Sequence, residues 1–133
     1  MGSKVFRARA VAILLASVAT WPVSVAWAQA TTAAERGAQA LAQGRCDAAL
    51  DALNEGLKEG DADAYYTVGL MYLKGYCVKA DPARSPAYFE PAAKAAQPQA
   101  AKMLVMMHGL GIGVPQSYAR SKSWYEKAAD IGS

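Results

Sequence analysis

The sequence predicts an all-α protein, a short solenoid of about three helix-turn-helix repeats. The first observation is a pattern that occurs twice, 36 residues apart, in residues 64–133. Its first copy is Ala64, Val68, Tyr72, Gly75, Val78, Tyr88, Phe89, Glu90, Ala92 and Ala93, and its second copy is Ala100, Leu104, His108, Gly111, Val114, Trp124, Tyr125, Glu126, Ala128 and Ala129. The second observation is that small and apolar residues recur at helical spacing. An array of this kind indicates binding rather than chemistry.

The first 28 residues have the layout of a secretory signal peptide. Basic residues precede an apolar run over residues 10–19, and Ala26 and Ala28 are the small residues that a signal peptidase reads, which places the cut before Gln29. The alternative is an uncleaved anchor, but the run is short for the ~30 Å of hydrocarbon in a bilayer, and Pro22 interrupts its far end. We therefore predict a periplasmic or secreted protein with no membrane span after cleavage.

Removal of this leader changes the charge of the chain. Three of the 14 basic residues lie in it, so the remaining 11 balance the 11 acidic residues, and the domain 29–133 is formally neutral. Proteins that bind nucleic acids draw much of their affinity from neutralising phosphates, so this composition disfavours such a partner. The domain is small enough to have one core, and we divide it into units of about residues 30–63, 64–99 and 100–133.

The first unit is predicted to contain two helices. Small residues at helical spacing indicate a helix that begins at Ala33 and is capped at its end by Gly44. Asp47 is predicted to cap a second helix over residues 48–58, whose leucines lie on one face.

The second and third units follow one plan with a longer turn. Their first helices are predicted over residues 64–74 and 99–109, and the last helix of the chain over residues 117–130. In the second unit, Pro91 removes a hydrogen bond from the second helix, so this helix is predicted either to bend or to start late at Ser85 and Pro86.

The two cysteines, Cys46 and Cys77, each follow a glycine by two residues and so fall in matching turns of neighbouring units. Matching turns of stacked units lie close together, and exported proteins meet an oxidising compartment. The pair therefore either forms a disulfide or remains as two small buried thiols. A disulfide that closes a loop of about 30 residues stabilises the folded state by roughly 3 to 4 kcal/mol.

The second and third units resemble Sel1-like repeats, a subfamily of the tetratricopeptide superfamily with a longer turn between its helices. The residues that carry the resemblance in the second unit are Ala64, Val68, Gly69, Tyr72, Gly75, Val78, Asp81, Tyr88, Phe89, Ala92 and Ala93. In the third unit they are Ala100, Leu104, Gly111, Gly113, Val114, Trp124, Tyr125, Ala128, Ala129 and Gly132. Cys77 and Val105 depart from this pattern by replacing glycines, Ser117 departs by replacing an aspartate, and Pro91 has no counterpart. The placement of small and apolar residues in the first unit resembles a tetratricopeptide repeat, and the residues concerned are Gly37, Gly44, Ala49, Leu53 and Leu57.

Small and bulky residues have complementary roles in this plan. The small ones let paired helices approach, and the aromatic ones fill the space between layers. The aromatic set is Tyr72, Tyr88, Phe89, Trp124 and Tyr125. Methionines either fill the core or form an adaptable groove, and the residues concerned are Met71, Met103, Met106 and Met107.

The resemblance implies an exported adaptor or scaffold that binds another protein through the concave side formed by its first helices. The residues placed there are Tyr66, Leu70, Lys74, Lys102, Met106 and Leu110. One alternative is a periplasmic immunity protein that neutralises a toxic effector enzyme. Another is a structural subunit that self-associates through the uncapped third unit.

A competing hypothesis is a small enzyme that uses Cys77 and His108. His108 is the only histidine and takes the place of Tyr72 in the repeat, so we interpret it as a packing residue. The glycine-rich run 109–113 follows a helix, whereas phosphate-binding loops precede one. No nucleophile–base–acid set can be assembled, and we predict no catalytic residue, no cofactor and no metal.

Overall fold

The computed structural model describes residues 31–132. They form six α-helices and one 3-10 helix with no strand among them, which confirms the predicted all-α solenoid. In chain order these are α1 (Ala33–Ala42), α2 (Cys46–Lys58), α3 (Ala62–Lys74), the 3-10 helix (Pro82–Arg84), α4 (Pro86–Lys94), α5 (Pro98–Leu110) and α6 (Tyr118–Gly132). We call the three successive helix pairs units 1, 2 and 3. The predicted signal peptide, residues 1–28, lies outside the described residues.

Unit 1 begins with a capping box. The hydroxyl of Thr32 accepts a hydrogen bond from the backbone N–H of Glu35 at 3.1 Å, and the Glu35 carboxylate accepts one from the N–H of Thr32 at 3.1 Å. Two of the unpaired N–H groups at the start of α1 are thereby satisfied. The predicted start of this helix at residue 33 agrees with the structure.

The predicted cap of α2 is wrong. The helix begins at Cys46, and the residue at its N-cap is Arg45, whose side chain makes no capping hydrogen bond. The turn after α1 explains this early start, because the N–H of Arg45 donates to the carbonyl of Ala40 at 2.9 Å and so brings the chain directly into the next helix. Asp47 lies in the first turn of α2, where its charge favours the positive end of the helix dipole.

Unit 2 differs from the prediction mainly at the start of α3. Asp61 caps this helix by accepting a hydrogen bond from the N–H of Asp63 at 2.9 Å, so the helix begins at residue 62 rather than 64. The second helix of the unit, α4, starts late at Pro86, as one of the two alternatives predicted. A proline is tolerated at this position because the first N–H groups of a helix have no partner inside it.

Helices pair where a glycine on the first helix faces a large side chain on the second. A Cβ atom added to Gly69 would lie 2.5 Å from Cε1 of Phe89, which is fully buried. In unit 1, a Cβ on Gly37 would lie 2.6 Å from Cγ of Leu53. Any larger residue at either glycine would force the two helices apart, so both positions set the distance between paired helices.

The second helices of all three units share one register of 36 residues. Leu53 and Phe89 occupy equivalent positions and are 1% and 0% exposed, whereas their counterpart in unit 3, Tyr125, is 67% exposed. The prediction that Tyr125 fills the space between layers is therefore wrong. Val105 stands in unit 3 where Gly69 stands in unit 2, so α5 lacks at this position the gap into which the Phe89 ring fits on α3.

The turns of the units also repeat at this spacing. The Sγ atoms of Cys46 and Cys77 are 2.09 Å apart, so the structure contains the disulfide, which joins unit 1 to unit 2. The equivalent residues 36 positions later are Pro82 and Gly113, and a Cβ on Gly113 would overlap the carbonyl oxygen of Pro82. The disulfide thus occupies a point at which neighbouring units touch throughout the array.

Candidate binding surface

An exposed stripe runs along α5. Lys102, Met106 and Leu110 are spaced by four residues and share one face of the helix. The opposite face packs into the core through Ala100, Ala101, Leu104 and Met107, each 0% exposed. Met106 is 37% exposed and Leu110 is 66% exposed, so this stripe offers apolar side chains to solvent beside a lysine.

The corresponding positions on α3 are more covered. Tyr66 and Leu70 are half-buried and pack against the core cluster of units 2 and 3, and only Lys74 is exposed. The ring of Tyr66 lies 5.9 Å from that of Phe89, and burial raises the pKa of the Tyr66 hydroxyl. Tyr66 and Leu70 therefore support the fold, and exposed binding groups come mainly from Lys74 and from α5.

A side-chain hydrogen bond links the first turns of α3 and α5. The side-chain amide of Gln97, at the start of α5, donates to a carboxylate oxygen of Asp63, in the first turn of α3, at 3.3 Å. We call the exposed residues Lys74, Lys102, Met106 and Leu110 the first-helix surface.

A groove of about 390 Å³ borders this surface on unit 3. It is lined by Lys102, Val105, Tyr125, Ala128 and Ala129. The equivalent residues in unit 2 include Phe89, Ala92 and Ala93, which are 0 to 4% exposed and belong to the core shared with unit 3. The groove is therefore the stacking face of a repeat, uncovered by any residue in 31–132. Sequence reasoning missed it, although Val105 in place of a glycine was a signal.

The methionines divide between core and surface. Met71 and Met107 are 1% and 0% exposed and fill the core, and Met103 packs partly buried against it. Met106 alone among these four is exposed. The four methionines therefore do not form an adaptable groove together. Met106 alone among them is available to a partner, as one flexible side chain on the first-helix surface.

The residues considered for catalysis are separated in the structure. Cys77 has no free thiol, since its sulfur is bonded to Cys46, and it borders a pocket with Tyr76 and Leu41. His108 is 3% exposed and borders a different pocket, between α4, α5 and α6. Within residues 31–132 no three His, Cys, Asp or Glu side chains are grouped so that they would hold a metal ion. Gly111 follows the carbonyl end of α5, where phosphates are not bound.

An aromatic stack covers the other side of unit 2. The rings of Tyr72 and Tyr88 lie 5.4 Å apart at 17°, and the guanidinium of Arg84 lies 5.5 Å from the centroid of the Tyr72 ring. Burial, followed by the neighbouring Tyr72, raises the pKa of Tyr88. Arg84 also pairs with Asp81 at 3.6 Å, so its charge is already partnered.

These features define an α-helical repeat protein with paired helices in register and an exposed, partly apolar row on its first helices. Residues 62–97 and 98–133 each match the Sel1 repeat, and together they cover more than half of the chain. The chain belongs to the Sel1 repeat family. Sel1 repeats typically serve as scaffolds for protein–protein interaction.

Solved structures agree with this assignment. A Sel1 repeat protein from Oxalobacter formigenes is 25% identical with a TM-score of 0.67, and 75% of this chain covers 42% of that one. The antigen c5321, a protective antigen present in uropathogenic Escherichia coli strains that displays an SLR fold, is 30% identical with a TM-score of 0.69. In that comparison 76% of this chain spans only 22% of the other. Comparison with curated proteins finds no match.

Proposed function

We propose that this protein is an exported adaptor that binds a partner protein through the first-helix surface. The observation that carries the proposal is the exposure of Met106 and Leu110, at 37% and 66%, on a helix whose other face is fully packed. Large apolar side chains that stay exposed beside one another on a rigid helix lower the free energy of association when a partner covers them.

The chemistry of this surface defines the partner. Lys102 precedes Met106 by one turn on α5, and Lys74 lies in the last turn of α3; neither lysine forms an ion pair with a carboxylate among residues 31–132. A partner segment with one or two apolar side chains flanked by Asp or Glu would match both features. Charges at the rim of such an interface mainly speed association and select partners, whereas the buried apolar groups supply most of the affinity.

Export is part of the proposal and rests on two features. The disulfide between Cys46 and Cys77 is compatible with an oxidising compartment, and the leader of residues 1–28 has the composition of a signal peptide. Mass spectrometry of the protein isolated from its host is expected to find a chain that begins at Gln29. A chain that retains residues 1–28 in the cytoplasm would contradict export.

Partner capture from an extract of the native host tests the adaptor role. We expect the tagged wild type to retain a partner that the double variant Met106→Glu, Leu110→Glu loses, because the two new charges would have to be buried unpaired. Tyr66 is left unchanged, since its contact with Phe89 makes it part of the core.

The matched control places the same charge on an exposed part of unit 1. Ala48 and Asn54 lie on the exposed side of α2, away from the first-helix surface, and the variant Ala48→Glu, Asn54→Glu should keep the partner. Equal retention by both double variants, with unchanged helical content by circular dichroism, would refute the binding surface.

A further inference from the structure

The pocket that His108 borders, between α4, α5 and α6, shares no lining residue with the first-helix surface or with the groove beside that surface. Its volume is about 260 Å³, which is smaller than the usual site for a drug-sized ligand. Its lining residues are Glu90, Lys94, His108, Arg120, Ser123, Trp124 and Lys127. With three cations and one carboxylate the lining is net positive before His108 is considered.

The histidine that lines the pocket carries an unsatisfied polar atom. His108 is 3% exposed, and its Nδ1 atom is buried without a hydrogen-bond partner among the described residues. A buried nitrogen in this state costs about 1 to 3 kcal/mol, and a rotation of the imidazole that brought it to a ligand oxygen in the pocket would recover part of that cost.

The cations at the rim also lack a carboxylate partner. Among residues 31–132, ion pairs involve Arg36 and Arg84, and none involves Lys94, Arg120 or Lys127. The ammonium of Lys127 lies 5.0 Å from the centroid of the Trp124 ring, which fixes it above an apolar wall. A pocket with such cations at its rim attracts an anion.

Comparison with unit 2 shows which features are particular to unit 3. Arg120, His108 and Trp124 stand 36 residues after Arg84, Tyr72 and Tyr88. In unit 2, Tyr72 packs against its neighbours, and Arg84 is paired with Asp81.

Unit 3 changes both of these features. A histidine replaces the tyrosine, and Ser117 replaces the aspartate. The Ser117 hydroxyl accepts a hydrogen bond from the backbone N–H of Arg120 at 3.3 Å, and the guanidinium is left without a carboxylate among the described residues. The two units therefore differ here, since unit 2 has an aromatic stack beside a paired arginine and unit 3 has a pocket lined by cations without a carboxylate partner.

We propose that this pocket binds a small anion through its carboxylate or phosphate oxygens, with Arg120, Lys94 and Lys127 as the charged donors and His108 beneath. Arginine and lysine form short, charge-assisted hydrogen bonds to such oxygens, and the Trp124 ring provides an apolar wall for the rest of the ligand. This site is separate from the first-helix surface, and either one can be correct without the other.

Nuclear magnetic resonance titrations of the purified protein test the proposal. Inorganic phosphate and succinate serve as separate probes of the two oxyanions, at an ionic strength held constant with potassium chloride. We expect saturable shifts of the Trp124 indole N–H and the His108 ring signals with at least one probe. Shifts that are linear, or that potassium chloride alone reproduces, would overturn the site.

Two variants assign the binding to this pocket. Arg120→Gln is expected to raise the Kd at least about fivefold by removing a charge-assisted hydrogen bond. Ser117→Asp restores the residue type of Asp81 and keeps a good N-cap, so it should weaken anion binding by pairing Arg120 while the fold stays intact. Arg84→Gln, the same change in unit 2, is the control and should leave the Kd unchanged. An equal effect of the changes at positions 84 and 120 would contradict the proposal.

Discussion

Ser85 and Ser121 occupy the same position in units 2 and 3, and their hydroxyls have different surroundings. Ser121 donates to the carbonyl of Val105 at 2.8 Å, whereas the Ser85 hydroxyl is fully buried and has no hydrogen-bond partner among the described residues. The equivalent residue in unit 1 is Ala49, which is also 0% exposed. An alanine is therefore compatible with this position, and the buried hydroxyl of Ser85 is a local cost.

The two serines should respond in opposite ways to the same substitution. Ser85→Ala is expected to raise the free energy of unfolding by about 1 kcal/mol, because it removes an unsatisfied polar group. Ser121→Ala should lower it by about 1 kcal/mol, because it removes the hydrogen bond from the Ser121 hydroxyl to the Val105 carbonyl. Urea denaturation measures both values. A loss of stability in the first variant would show that the Ser85 hydroxyl has a partner.

Cys77 has an unusual backbone conformation. Its φ of 60° lies in the left-handed region, as does the φ of 69° at its counterpart Gly113. A residue with a side chain is destabilised there by about 1 to 2 kcal/mol relative to glycine. The disulfide explains why a cysteine is nevertheless found, since only this residue type links the turn to Cys46.

This cost can be isolated once the disulfide is removed. In a Cys46→Ser background, the variant Cys77→Gly should be more stable than Cys77→Ser by about 1 kcal/mol, since both lack the cross-link and only glycine relieves the backbone. Thermal unfolding of the two double variants makes the comparison. Equal midpoints of thermal unfolding for the two double variants would mean that the turn at residue 77 changes conformation when the disulfide is absent.

At the scale of the helix, position matters more than residue type. Phe89 and Tyr125 are aromatic residues at equivalent places on α4 and α6, yet one is fully buried and the other 67% exposed. Unit 3 covers the first, and no residue in 31–132 covers the second. The packing of a second helix in this array therefore depends on the next unit along the chain.

This difference predicts unequal costs for truncation. Phe89→Ala should lower the free energy of unfolding by about 3 to 5 kcal/mol, as for a large side chain removed from a core. Tyr125→Ala should lower it by less than about 1 kcal/mol, because the ring is mostly in solvent. Denaturant titration measures both. A large loss for Tyr125→Ala would show that another copy or another segment covers this face in solution.

Particular residues show which features of the fold the sequence predicted and which it did not. The small and aromatic residues of the repeat predicted the helix pairs, and the matching spacing of each cysteine from a glycine indicated where the two cysteines meet. The prediction that Asp47 caps α2 was wrong, because a hydrogen bond from the N–H of Arg45 to the carbonyl of Ala40 brings the chain into the helix earlier. The prediction for Tyr125 failed because burial of a second helix requires a further unit stacked on it, which a residue type does not encode.

At the scale of the whole molecule, the stacking of repeated units links stability and binding. Units 2 and 3 repeat at 36 residues, the disulfide and the close approach of Pro82 and Gly113 join neighbouring units, and a hydrogen bond from Gln97 to Asp63 links the starts of α3 and α5. Because the core takes one face of α5, the opposite face of this helix stays exposed, whereas on α3 only Lys74 is exposed. The candidate residues Lys102, Met106 and Leu110 were predicted from the family resemblance, but the coverage of Tyr66 and Leu70 required the structure.

The central claim is that a partner protein contacts the first helices, and site-specific photo-crosslinking in the native host tests it most directly. A photoreactive amino acid at position 110 is expected to give a covalent adduct with a partner, since Leu110 is 66% exposed on the proposed surface. The same amino acid at position 54, on the exposed side of α2, should give none. Adducts from position 54 and none from position 110 would contradict the account.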